Sequence, residues 1–316
     1  MPFSHHSHSG QFCPGHARDS LEDVVLVAIS KKMQMLAMTE HMPRHDQDRY
    51  PEEIDAGRTL ASQFDNESAY FAEASRLREK YRQQIELPIG FEGEWIRPES
   101  ADLVQRSIAT HQYDFFIGSV HHVHTVPIDY DSEMYQQARQ ISGGSDEKLF
   151  EDYFDAQLAM LKALKPPVVG HLDLIRLMSD SPNGSFKAMP EVWRKILRNL
   201  DYISSYGAIL EINTAGLRKG MDEPYPKLEI CQAALERKLQ FCLSDDSHGV
   251  DHVATNYGRL LPFLDEAGIT TLSYIRRGGF AQGKIDHRFP YLGVEDVGLR
   301  ELRSHLFWKS LETPNH

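Results

Sequence analysis

Cysteine is scarce in this chain: Cys13, Cys231 and Cys242 are the only three in 316 residues, and none forms a C-x-x-C pair. An odd set without that spacing excludes a disulfide framework as the organising device and makes a reducing, cytoplasmic setting the default. Long apolar runs are missing too. No stretch approaches the roughly 20 residues a membrane helix needs, and an N-terminus of His, Ser and Gly has no apolar core for a secretory signal. Positive charge is in deficit, with 34 Lys and Arg against 46 Asp and Glu and a net charge of -12. That balance, and the lack of any basic-aromatic stretch, argue against nucleic acid as the partner. Neither G-x-G-x-x-G nor G-x-x-x-x-G-K-[ST] occurs, which removes the usual nucleotide-phosphate cradles. No internal repeat or linker is visible, so one domain over 1–316 is expected, of unreadable oligomeric state.

What the chain has is histidine, 16 in all, and it is not scattered. The first residues read MPFSHHSHSGQFCPGH, with His5, His6, His8 and His16. A purification-tag remnant would be a uniform run; this one is broken by serines and continues into a Phe-Cys-Pro-Gly-His turn. In a strand, His6 and His8 project to the same side and can share one metal ion.

Further along, short apolar runs alternate with helical patterns. Strands are expected at Met35–Met38, Ile85–Glu94, Tyr113–Val120, Val168–Asp173, Ala208–Asn213 and Phe241–Ser244, with a closing unit helical over Gly258–Gly268 and extended over Ile269–Tyr274. The first helix should start at Ser20, a capping residue with Asp23 three positions on. Such alternation indicates an α/β protein with a mainly parallel sheet. Polar residues follow the strands in at least six units: His6/His8, Glu40/His41, Glu92, His121, His171 and Asp246/His248. A doubly wound sheet would gather its site at one switch point, whereas polar residues drawn from many strand ends are how (β/α) barrels build theirs. A barrel of seven or eight strands is therefore expected.

Taken singly, each of these residues has an ordinary structural explanation, as a hydrogen-bonded rim histidine or a helix cap. Repeated use of His, a poor N-cap residue, at one position type weakens that explanation. Mixed imidazole and carboxylate donors suit zinc, iron or manganese. They outnumber the ligands of one open zinc site, which points to two or three metals with a bridging carboxylate and to phosphate-ester hydrolysis.

The stretches HSHSGQFCPGH, LAMTEHMPR, GFEGEW, FIGSVHHVH, VVGHLDLIRL, LEINTAGLRKG and LSDDSH resemble the motifs of the polymerase and histidinol phosphatase (PHP) family, over Phe3 to about Ile275. Within it the chain is most similar to the monofunctional histidinol-phosphate phosphatases. The resemblance implies a distorted (β/α)7 TIM-like barrel with three divalent ions (Zn, Mn or Fe) at the C-terminal ends of its strands. His6, His8, Glu92 and Asp246 would hold the first ion; Glu92 would bridge to a second held by His121 and His171; His16, His41 and His248 would hold the third. His121 over His122, and Asp246 over Asp245, rest on motif alignment. It further implies hydrolysis of L-histidinol phosphate to L-histidinol and phosphate, by a metal-bound hydroxide held by Glu92, Asp246 and His121.

Arg176 and Arg218 both follow strands and are the expected phosphate clamp, since a guanidinium fork suits phosphate. Glu40, Asn213 and His122 (or His124) are expected to touch the rest of the substrate. Three rivals remain: a family member acting on nucleotides or nucleic acid, an amidohydrolase, which would carry a strand-end lysine not found here, and a metal sensor, which would use a closed site.

Overall fold

A computed structural model describes residues 2–278 and 286–312. Strands β1 (Phe3–Ser4) and β2 (Met35–Leu36) pair in parallel. Five more, β3 (Glu92–Glu94), β4 (Ile117–Ser119), β5 (Val168–Val169), β6 (Ile209–Asn213) and β7 (Gln240–Ser244), form a parallel sheet in sequence order. Consecutive parallel strands need a crossover, and the helical segments between them supply it. Strands β2 to β6 are shorter than the runs in which they were expected, whereas β7 begins one residue earlier than its run. His121 and His171 come two residues after β4 and β5, Asp245 directly follows β7, and β6 ends on Asn213, so polar residues gather at one end of the sheet.

Isolated parallel bridges extend the pairing beyond the named strands. Met35↔Glu86, Met38↔Ile89 and His41↔Glu92 align the β2 segment with the chain entering β3. On the other side, Ser7 bridges Ser247 and the His5 amide donates to Leu243 O at 3.0 Å, which sets β1 beside β7. His41 and Glu92 are thus register partners, and the Ser7–Ser247 bridge brings His6 and His8 alongside Asp246 and His248.

Local chemistry accounts for the helix boundaries. Ser20 and Asp23 form a reciprocal capping box at the start of α1 (Leu21–Ser30). Ser145 caps the long helix Asp146–Leu164, which ends at Lys165 in a left-handed conformation ahead of Pro166 and Pro167. That helix packs close on β4: a Cβ at Gly118 would lie 2.5 Å from Pro166 Cγ and 2.7 Å from Met160 Sδ. The core is continuous, with Phe3, Phe115, Phe116, Ile117, Val168, Leu210 and Leu243 all fully buried.

A further helix, Ser132–Ile141, capped by Asp131, precedes the long one. One expectation is corrected: the closing unit does not add a parallel strand. Thr271–Arg277 pairs antiparallel with Leu292–Gly298, from a tail whose sequence was uninformative, and residues 279–285 between them lie outside the described residues. No helix among the described residues is long and apolar enough to cross a membrane.

Candidate metal centre and adjoining cleft

At the carboxyl ends of the strands, Glu92 is the hub. Its Oε2 lies 3.4 Å from both His6 Nε2 and His8 Nε2, and 3.0 Å from His41 Nδ1. Its Oε1 lies 3.0 Å from His171 Nε2 and 3.4 Å from His121 Nε2. Asp246 faces the first pair, with Oδ1 at 3.8 Å from His6 Nε2 and 3.6 Å from His8 Nε2. His16 completes the group, its ring centroid 5.3 Å from His41 and 4.8 Å from His248. All nine residues expected as ligands are brought together. Three sets present donor atoms within reach of a common ion: His6, His8 and Asp246; His6, Glu92 and His171; and His8, His41 and His248. In the last, His8 stands where sequence reasoning set His16.

These atoms fit cations. His6 Nε2, both ring nitrogens of His8 and both of His41 are buried without a hydrogen-bond partner. Such orphans are costly unless something else satisfies them. Burial, followed by repulsion from neighbouring imidazoles, pushes His16 down to about 3 and His8 down to about 4. Both are therefore neutral, the form that ligates. Burial also works to lower His6, but Asp246, Glu92 and Glu211 outweigh it and hold His6 well above the ordinary histidine range. The carboxylates thus draw positive charge to this spot, which a divalent ion supplies better than a proton.

The members of the adjacent pairs touch different groups. His121 Nε2 turns toward His171 Nε2, 3.2 Å away, while His122 Nδ1 turns back to Glu94 Oε1 at 3.1 Å. Asp245 is a buried structural acceptor for Ser4 Oγ, Ser247 N and Ala254 N. Asp246, in a left-handed conformation at φ 50°, points the other way into the site.

Of the expected substrate contacts, Arg218 lines the cleft over the centre, with Lys219 and His252 beside it. Carbonyls of Asp245 and Asp246 accept from its guanidinium at 2.8 and 2.9 Å. Arg176 does not reach the cleft. It is fully buried, donating to Asp173 Oδ2 and to the carbonyls of Pro182, Glu223 and Pro224, so it braces loops instead of clamping phosphate. Glu40 is also behind the wall. It accepts from Ser9 N and Ser9 Oγ, and burial raises its carboxyl to about 7. Asn213 donates to Glu211 and Asp246 from below, and His122 packs against Tyr50. His124 is exposed and paired with Asp152.

Sequence reasoning missed two supporting carboxylates. Glu211 accepts from His6 Nδ1 (2.8 Å) and from the His171 amide (2.6 Å). Glu94 faces His121 Nδ1 at 3.1 Å and accepts from Arg44 Nε at 2.5 Å. Their one signal was strand alternation, which sets Glu94 on the same side as Glu92 and Glu211 on the same side as Asn213.

Residues 4–215 match the PHP domain family. A Schizosaccharomyces pombe protein named as a histidinol-phosphatase is 43% identical over 90% of this chain and 93% of its own length. The histidinol-phosphatase of Saccharomyces cerevisiae is 30% identical over 86% of this chain and 90% of its own. Among solved structures, a candidate histidinol phosphatase from Listeria monocytogenes superposes with TM-score 0.71 at 25% identity, covering 81% of this chain and 99% of its own. The histidinol phosphate phosphatase of Lactococcus lactis, solved with Zn, L-histidinol and phosphate, shares the fold at TM-score 0.65 and 18% identity, over 86% of this chain and 95% of its own. The chain belongs to the PHP family, α/β proteins with a parallel central sheet.

Proposed function

We propose that this protein is a histidinol-phosphatase, a metal-dependent phosphoric monoester hydrolase that converts L-histidinol phosphate to L-histidinol and phosphate in histidine biosynthesis. The observation that carries the reading is near-full-length similarity to a relative of that name, at 43% identity over 90% of the chain. The rival on nucleotides or nucleic acid is disfavoured by the net charge of -12. The free cysteines fit a cytoplasmic setting.

We read the strands as a distorted (β/α)7 barrel. In support, the Ser7↔Ser247 and His41↔Glu92 bridges continue the parallel pairing at both edges of the five-stranded sheet. His6, His8, Glu92 and Asp246 would hold one divalent ion, His121 and His171 with Glu92 a second, and His16, His41 and His248 a third; Zn, Mn and Fe all suit these donors. When bound, such ions acidify water and neutralise phosphoryl charge.

The chain's own groups do the rest. Arg218, held by two carbonyls, presents a fixed cation toward the phosphate oxygens, with Lys219 and His252 on the same wall. Glu211 and Glu94 orient His6 and His121 through their Nδ1 atoms, which aims each Nε2 at the centre.

The test is phosphate release from L-histidinol phosphate by protein reconstituted with Zn or Mn, beside p-nitrophenyl phosphate, nucleoside monophosphates and a short DNA strand. Strong preference for histidinol phosphate, abolished by a chelator, is expected. Equal or better turnover of nucleotides or DNA would move the protein to the rival branch.

A further inference from the structure

Beside the metal cleft lies a second cavity lined by Cys13, Arg44, Tyr50, Glu52, Glu53 and Tyr130, among others. Four residues line both spaces: His16, His41, His121 and Asp129. Three of these are imidazoles of the metal centre. Asp129 is the one carboxylate at the junction.

The other acids of the second cavity are already engaged. Glu52 accepts from the Tyr130 hydroxyl at 3.0 Å, and Glu53 from Arg44 Nη1 at 2.9 Å and the Tyr50 amide at 3.0 Å. Asp129 has no hydrogen-bond or ion-pair partner among the described residues. It is half-buried and held on a short tether. On one side the Ile128 amide donates to His121 O at 2.9 Å, at the base of the His122–Val123/Val126–Pro127 hairpin. On the other, Asp131 caps the helix Ser132–Ile141. Its carboxyl is thus held at the boundary of the two cavities, close enough to His121 to help raise that imidazole, with no direct hydrogen-bond or ion-pair partner of its own among the described residues.

We infer that Asp129 is the specificity residue that receives the primary ammonium of the substrate. The inference rests on the histidinol-phosphatase reading. In L-histidinol phosphate the ammonium-bearing carbon is bonded directly to the CH2 that carries the phosphate oxygen. With the phosphate over the metal centre, the ammonium must lie within a few bonds of it, at the boundary of the two spaces, and the imidazole beyond. Asp129 is the acid at that boundary. A fixed carboxylate that pairs with a substrate cation also discriminates against phosphates lacking one, because the desolvated charge is then left unpaired.

The experiment measures kcat/KM for L-histidinol phosphate and for its des-amino analogue, 3-(imidazol-4-yl)propyl phosphate, together with inhibition by L-histidinol, in the wild type, Asp129→Asn and Asp129→Glu. Asp129→Asn should reduce the preference for the amine-bearing substrate tenfold or more, mainly through KM, and weaken L-histidinol inhibition to match. Asp129→Glu, which keeps the charge, should retain part of the preference. Preference and inhibition unchanged in both variants would overturn the role of Asp129 while leaving the histidinol-phosphatase reading intact. A wild type that does not hydrolyse L-histidinol phosphate would instead overturn that reading.

Discussion

His6 Nδ1 lies 2.8 Å from Glu211 Oε1, both side chains fully buried, while the opposite ring nitrogen faces Glu92 and Asp246. One carboxylate therefore sets which edge of the imidazole is a donor and which is free to ligate. Glu211 also accepts from the His171 amide, Ser244 Oγ and Asn213 Nδ2, so a single side chain ties β6 to three neighbouring segments of the site.

Glu211→Gln should keep the fold yet weaken metal retention by roughly 10–100-fold, as loss of such outer carboxylates does elsewhere. Metal content after dialysis against graded chelator checks this. Retention equal to wild type would remove the orienting role.

Removing metal should stop phosphate release and lower thermal stability, with both restored by added Zn or Mn. Binding at 100 times the dissociation constant stabilises by about 2.7 kcal/mol, a shift of several degrees in a scanning experiment. A melting temperature indifferent to chelator would contradict an ion-filled centre.

Burial, then the nearby Glu40 carboxylate, pushes the Cys13 thiol up to about 12, and burial raises Cys231 and Cys242 well above the ordinary range. The thiolate is the reactive form. In the native protein at pH 8, all three should therefore alkylate far more slowly with iodoacetamide than in guanidinium-unfolded chain, including the partly exposed Cys13. Rapid native labelling of Cys13 would refute the shielding.

Glu22 is lowered to about 2 by hydrogen bonds from Lys80, Tyr81 and Arg76. A depressed carboxyl stabilises fully above its unfolded value near 4.5 and loses that stabilisation as pH falls toward 2. Glu22→Gln should thus cost up to about 1 kcal/mol at pH 6, the cluster being surface-facing. In urea melts the gap from wild type should narrow at pH 3; a gap that widens there would reverse the sign.

Gly118→Ala should destabilise by roughly 1–3 kcal/mol, the usual cost of overpacking. Its Cβ would press on Pro166 and Met160, where the helix Asp146–Leu164 meets β4. A urea midpoint matching wild type would mean that the helix end yields freely.

The amino-acid sequence alone determined the α/β alternation and the polar residues at the ends of the strands. These are local properties, set by apolar period, caps and the residue type that follows each strand. Hence His6, His8, Glu92, His121, His171 and Asp246 were legible before any coordinates, and Ser20 was legible as a cap. The tertiary structure alone decided which long side chains reach the cleft. Arg176 and Arg218 follow their strands alike, yet Arg176 is taken up by carbonyls of Glu223 and Pro224, far along the chain. A flexible guanidinium goes where distant backbone acceptors lie, and no local pattern records that. The same reason hid Glu211 and Glu94 behind the histidines and Asp129 between the two cavities. It also hid the antiparallel pairing of Thr271–Arg277, whose partner strand comes from an otherwise featureless tail.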